Sequence, residues 1–110
     1  LIGSDQDRTY ILHILECIDR GERYANNDRT RFDTDPMVQD TILRSLQVMA
    51  ESSQRLSEEV KATQSHIDWR AISGFRNILV HDYLGVDLDL IWQVIKQELP
   101  VLKKSLKALS

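Results

Sequence analysis

Between Ile42 and Val60 an almost unbroken apolar series, Ile42, Leu46, Met49, Ser53, Leu56 and Val60, steps alternately by four and three residues. That alternation holds one stripe of a helix against a neighbour, and a strand, whose side chains alternate, does not produce it. A chain built around such a seam packs helices side by side, as antiparallel neighbours in a bundle. The start of the seam helix is equally well marked, because Asp35 supplies an N-cap acceptor and Pro36 a first-position proline. The pattern predicts one helix from there to roughly Thr63.

The rest of the chain follows the same logic. From Asp5 to Asn27 the residues Tyr10, Ile11, Ile14, Leu15, Cys17, Ile18 and Tyr24 cover more than one narrow stripe, so this helix has a core side and a second apolar side that suits a dimer partner. Residues 26–34 are polar, lack a stripe and read as a loop. Asp68 is placed to cap a third helix, with Gly85 as its left-handed terminator. A last helix opens near Asp87 and uses Ile91, Val94, Ile95, Leu102, Leu106 and Leu109, with a kink expected at Pro100. Two prolines and four glycines are few breakers for 110 residues. The expected fold is all-α, an up-and-down bundle of four to five helices in a single domain over residues 5–110. Residues 1–4 read as a frayed end or a tag remnant.

Charge and composition exclude several classes. A net charge of -3 argues against a protein that coats nucleic acid through a broad positive field. Residues 61–110 nevertheless carry seven basic and five acidic side chains, so a local RNA site fits that half. The single cysteine, Cys17, fits a reducing cytoplasm and reads as a small buried residue. No apolar run approaches the roughly 20 residues that span a bilayer. The sequence offers no zinc spacing, glycine-rich phosphate loop or Gly-x-Ser-x-Gly elbow, so neither metal nor cofactor is expected.

Chemistry concentrates in Arg76-Asn77-Ile78-Leu79-Val80-His81-Asp82-Tyr83. On the helix expected through this octapeptide, Arg76 and Tyr83 lie nearly eclipsed and Asn77 and His81 share the adjoining strip. Ile72, Phe75, Ile78 and Leu79 form the opposite, core-facing stripe.

Taken with its flanks, Trp69-Arg70-Ala71-Ile72-Ser73-Gly74-Phe75 before it and Val86-Asp87, Ile91-Trp92 and Leu99-Pro100-Val101-Leu102 after it, this segment resembles the HepT-like branch of the HEPN superfamily. Looser likeness covers Asp7 to Leu15 and Leu46 to Leu56. The resemblance implies a metal-independent endoribonuclease toxin in which two protomers set Arg76, His81 and Tyr83 side by side in a shared cleft. It also implies a minimal nucleotidyltransferase antitoxin as partner, in an assembly that can extend beyond the homodimer, and Tyr83 as the tyrosine that such a partner modifies with AMP. The residues suit these roles. Imidazole titrates near neutrality, so His81 is a fit acid or base, and Arg76 stays charged and grips phosphate through its fork of donors. Asn77 and Asp82 are placed to orient neighbours. AMP on Tyr83 would set negative charge beside Arg76 and repel RNA. The alternative is a non-catalytic module that binds a nucleotide or the nucleotidyltransferase.

Plainer readings stand beside these. Asp82 suits a capping carboxylate at least as well. Where the resembling branch reads Gly-Glu-Ala this chain has Ala50-Glu51-Ser52, and Glu51 either supports the site through an arginine or pairs with Arg55 one turn on. Arg20, Arg23, Arg29 and Arg31 are interleaved with Asp19, Glu22, Asp28 and Asp33, the mark of a solvated surface rather than a phosphate-guiding patch. His13 and His66 read as surface histidines and Trp92 as packing.

Overall fold

The computed structural model describes residues 4–110, with the side chain of Tyr83 outside the description, and every regular element among them is helical. Helix α1 (Asp5–Ala25) opens with a reciprocal cap. The Ser4 hydroxyl accepts from the Asp7 N–H at 3.1 Å while the Asp7 carboxylate accepts from the Ser4 N–H at 3.2 Å. It ends at Asn26, one of two consecutive asparagines in the left-handed region (φ 46° and 52°).

Residues expected to be a loop contain a second helix, α2 (Arg29–Thr34), capped by the Asp28 carboxylate accepting from the Arg31 N–H. Its one buried residue is Phe32, fully enclosed and stacked on Trp92 with ring centroids 5.6 Å apart. One anchor per short helix leaves no periodicity to read, which is why the sequence pattern missed it.

Helix α3 (Pro36–Gln54) begins at the Asp35 cap as expected but stops nine residues short of Thr63. Ser57 starts a separate helix, α4 (Glu58–Thr63), its hydroxyl accepting from the Val60 N–H at 3.2 Å. The seam runs on across this break, because Ile42, Leu46, Met49, Leu56 and Val60 are all buried. Ser53 is buried with them and satisfies its hydroxyl on the Met49 carbonyl at 2.9 Å.

Helix α5 (Trp69–His81) is capped by Asp68 and followed by a 3-10 turn (Tyr83–Gly85). The last helical stretch comprises α6 (Leu88–Gln93), a π-helical turn (Val94–Glu98) and α7 (Leu99–Lys107). Pro100 explains the wide turn. Proline has no N–H and its ring crowds the carbonyl four residues back, and the preceding segment relieves this by widening, with the Leu99 N–H donating to the Val94 carbonyl. The core is shared by α1, α3 and this last stretch, through Ile14, Ile18, Ile42, Leu46, Ile91 and Leu106, and α5 lays Leu79 against it. None of the helices among the described residues is long and apolar enough to cross a membrane.

A polar clamp fixes α4 to the start of α1. The Asp7 carboxylate, 4% exposed, accepts from the Ser57 N–H and from the Ser57 hydroxyl, each at 2.8 Å. Trp69 then donates its indole N–H to the Lys61 and Gln64 carbonyls, each at 3.2 Å, so α4 in turn fixes the start of α5.

Candidate functional site

Two rows on α3 decide where the site lies. The seam positions Ile42, Leu46, Met49 and Ser53 face the core, and a second row two residues later, Arg44, Val48, Glu51 and Arg55, repeats the same four-three-four rhythm. An offset of two residues is about 200° around a helix, so the second row lies on the far side from the first. Helix α5 reaches both rows, sharing an apolar cavity with Met49 of the first and pairing its Arg76 with Glu51 of the second. Trp69 meets the end of α4 and Arg76, further along, meets Glu51, so α5 runs back along α3 in the opposite direction.

Arg76 donates to the Glu51 carboxylate at 3.3 Å and to the Asn77 side-chain oxygen at 3.2 Å. Glu51 thus pairs with Arg76, and the pair with Arg55 one turn on is not formed. The arginine Nε is buried with no acceptor among the described residues, so its guanidinium is steered by the Glu51 contact at one edge. A polar cavity of about 410 Å³ opens beside the pair, lined by Arg44, Glu51, Ser52, Gln54, Arg55 and Arg76.

Asn77 and His81 are exposed on α5. His81 is five residues beyond Arg76, about 7.5 Å along the axis and about 140° around it, so the two do not point the same way from one helix. The helix ends at His81, and Asp82 is its C-cap, with the N–H bonded to the Ile78 carbonyl at 2.9 Å. The α-helix therefore does not continue through the octapeptide, and the Tyr83 backbone lies in the 3-10 turn; the expected alignment of its side chain with Arg76 lies outside the described residues. Gly85 closes that turn instead of ending α5, and its close neighbour among the described residues is the exposed Asp82 side chain. A Cβ there would meet an Asp82 carboxylate oxygen at 2.9 Å.

The opposite face of α5 is less covered than a core stripe should be. Leu79 is its one buried residue, while Ile72 and Phe75 are half-buried and Ile78 and Val80 are 41% and 37% exposed. Ile72, Phe75 and Ile78 line an apolar cavity of about 650 Å³ shared with Met49, Leu99 and Val101.

The remaining candidates fall into plainer roles. Arg20, Arg23 and Arg29 pair with Glu16, Asp19 and the carboxylates of Asp33 and Asp89. Burial pushes the Cys17 thiol up from its ordinary range, which suits an inert packing residue. His66 is exposed, yet its Nε2 lies 2.7 Å from the Ser105 hydroxyl and ties the segment before α5 to α7. Trp92 packs on Phe32, with the Arg29 guanidinium 5.8 Å from its ring centroid. Sequence reasoning missed Arg44 and the Asp7–Ser57 clamp. The rhythm of the second α3 row was present in the sequence but was hidden by the stronger apolar one.

A family model described as Ribonuclease HepT-like matches residues 14–109. The chain belongs to the HepT-like family. Among its HepT-like relatives, a protein of Caldanaerobacter subterraneus whose RNase name is provisional is 36% identical over 101 residues, covering 91% of this chain and 90% of that protein. A Methanocaldococcus jannaschii protein, named both as a gamma-glutamylcyclotransferase and provisionally as an RNase, is also 36% identical over 101 residues, and this chain spans 45% of its length. A Thermococcus cleftensis protein named Probable ribonuclease HepT is 29% identical over 97 residues. In fold, the HepT-like chain matches a Shewanella oneidensis HEPN toxin, solved tri-AMPylated and in complex with an MNT antitoxin, with a TM-score of 0.74 over 97% of this chain and 98% of that one at 22% identity.

Proposed function

We propose that this chain is a metal-independent endoribonuclease toxin whose cleft is completed by a second copy, and that a nucleotidyltransferase antitoxin holds it off. The observation that carries the reading is the Glu51–Arg76 pair, which fixes a phosphate-gripping arginine on the same rigid helix as an exposed histidine. In the proposed reaction the ribose 2'-hydroxyl attacks the neighbouring phosphorus and the 5'-oxygen leaves. His81 takes the hydroxyl proton or returns one to the leaving oxygen, and Arg76 balances charge on the phosphorane. Arg76 and His81 diverge by about 140° on one helix, so a paired α5 supplies the second set of groups from the facing side. The exposed Ile78 and Val80, on opposite sides of α5, and the fully exposed Leu84 (99%) just beyond it leave apolar surface that a second copy can bury.

Control by AMP fits the same place. The Tyr83 phenol would attack the α-phosphorus of ATP, lose its proton and release pyrophosphate. The resulting phosphodiester would follow His81 by two residues and compete for Arg76.

The decisive experiment compares purified protein with His81→Ala on single-stranded RNA in the presence of chelator. Cleavage should fall by at least 100-fold, in line with the loss of a general acid or base. Equal background from both proteins would remove the nuclease assignment, and intact RNA with tight nucleotidyltransferase binding would favour the non-catalytic module. Mass spectrometry after incubation with that partner and ATP should find AMP on Tyr83.

A further inference from the structure

We propose that the polar cavity between α3 and α5 is a phosphate track for an RNA strand, with Arg44 and Arg55 holding phosphates on either side of the one that Arg76 engages. The proposal rests on the ribonuclease reading and names a binding subsite beyond its reacting groups.

The cavity holds three guanidiniums and one carboxylate, and that carboxylate is committed to Arg76. Neither Arg44 nor Arg55 forms an ion pair with another described residue, and both are exposed. This sets them apart from Arg20, Arg23 and Arg29, each of which meets a carboxylate. In a chain of net charge -3, cations left unpaired around one concave polar surface focus a local positive field.

Spacing selects the ligand. From residue 44 to residue 55 the helix rises about 16 Å, with Glu51 and its partner Arg76 about 10 Å from one end and about 6 Å from the other. A lone phosphate cannot reach both ends. A strand can, since its charges rise about 3.4 Å apart even when stacked. Direction follows from the antiparallel packing. Residues after Arg76 on α5 lie toward earlier residues of α3, so Arg44 sits at the end nearer His81 and Arg55 at the far end. Glu51 among the cations keeps the track from gripping any single anion tightly, which suits a substrate that must also leave.

The test is binding without cleavage. Fluorescence anisotropy with a labelled 2'-O-methyl ten-nucleotide RNA, which lacks the attacking hydroxyl, gives affinity across a salt series. The Arg44→Gln/Arg55→Gln double variant should bind about 10-fold more weakly at low salt. Its slope of log affinity against log salt should be shallower by about 1.4, because each single-strand phosphate contact contributes about 0.7. Circular dichroism checks that the variant is folded. Unchanged affinity and slope in a folded variant would overturn the track. So would weakened binding of AMP with oligonucleotide binding intact, since the cavity would then be a mononucleotide site. Failure of His81→Ala to reduce cleavage of ordinary RNA, alongside the expected change in slope, would remove the nuclease assignment and leave the track standing.

Discussion

Replacing Asp7 by alanine removes the acceptor of four donors at once, two from Ser57 at 2.8 Å and two from Ser4 at 3.2 and 3.3 Å. Hydrogen bonds to a charged acceptor contribute about 1.5–3 kcal/mol each and a lost cap about 1 kcal/mol. The four share one carboxylate and do not add, and the Ser57 hydroxyl still caps Val60 in the variant. The expected loss is therefore about 3 kcal/mol, with Asp7→Asn losing about half because its amide keeps one accepting oxygen. Acidity supplies the control. The Ser57 N–H, opposed by burial and assisted by the Ser57 hydroxyl and Ser4, holds the Asp7 carboxyl below its ordinary 3.8. As pH falls below that value the unfolded chain takes up the proton first, so wild-type stability drops with acid in this window. Urea denaturation followed by far-ultraviolet circular dichroism at pH 7 and at steps down to pH 2.5 should show a gap between wild type and Asp7→Ala that narrows below about pH 4. A gap under about 1 kcal/mol at pH 7, or one that stays constant into acid, would refute the clamp.

Two further outcomes separate the site from the scaffold. Glu51→Gln keeps the size of the side chain but not its charge. The half-exposed pair with Arg76 contributes under about 1 kcal/mol, so unfolding should barely move. Steady-state cleavage should show kcat reduced about 10-fold with KM unchanged or lower, since Arg76 loses its guide while the track loses a repelling charge. Phe32→Ala should do the reverse, costing about 3–5 kcal/mol in denaturant because a fully buried ring stacked on Trp92 is removed.

The sequence was most legible where many residues repeat one rule. The apolar seam predicted the bundle and its buried positions, and the caps at Asp35, Asp68 and Asp87 start their helices as expected. Breaks that preserve the rhythm were invisible. Val60 stays in register across the stop after Gln54, so the seam alone cannot distinguish one helix from two. Long-range polar contacts were invisible as well, because nothing local tells Asp7 that its acceptor sites will be filled by Ser57, 50 residues away. In the candidate site, the choice of Arg76 over Arg55 as the partner of Glu51 depends on how α5 lies across α3, which no spacing within one helix determines.

Helix α3 thus carries two rows with one rhythm and opposite duties. The row through Ile42, Leu46 and Met49 is buried and holds the bundle, while the row through Arg44, Glu51 and Arg55 faces the cavity beside α5. Because a helix is stiff over this length, anything that sets α5 against α3 also sets Arg76 between the two outer arginines. The clamp from Asp7 to Ser57, followed by Trp69 on the α4 carbonyls, does this from the end of α3 next to Arg55. Stability and phosphate recognition are therefore separable by substitution but coupled by placement. Loss of the outer arginines should act on binding alone and loss of Phe32 on folding alone, whereas loss of Asp7 should reach both because it frees α4, against which α5 begins.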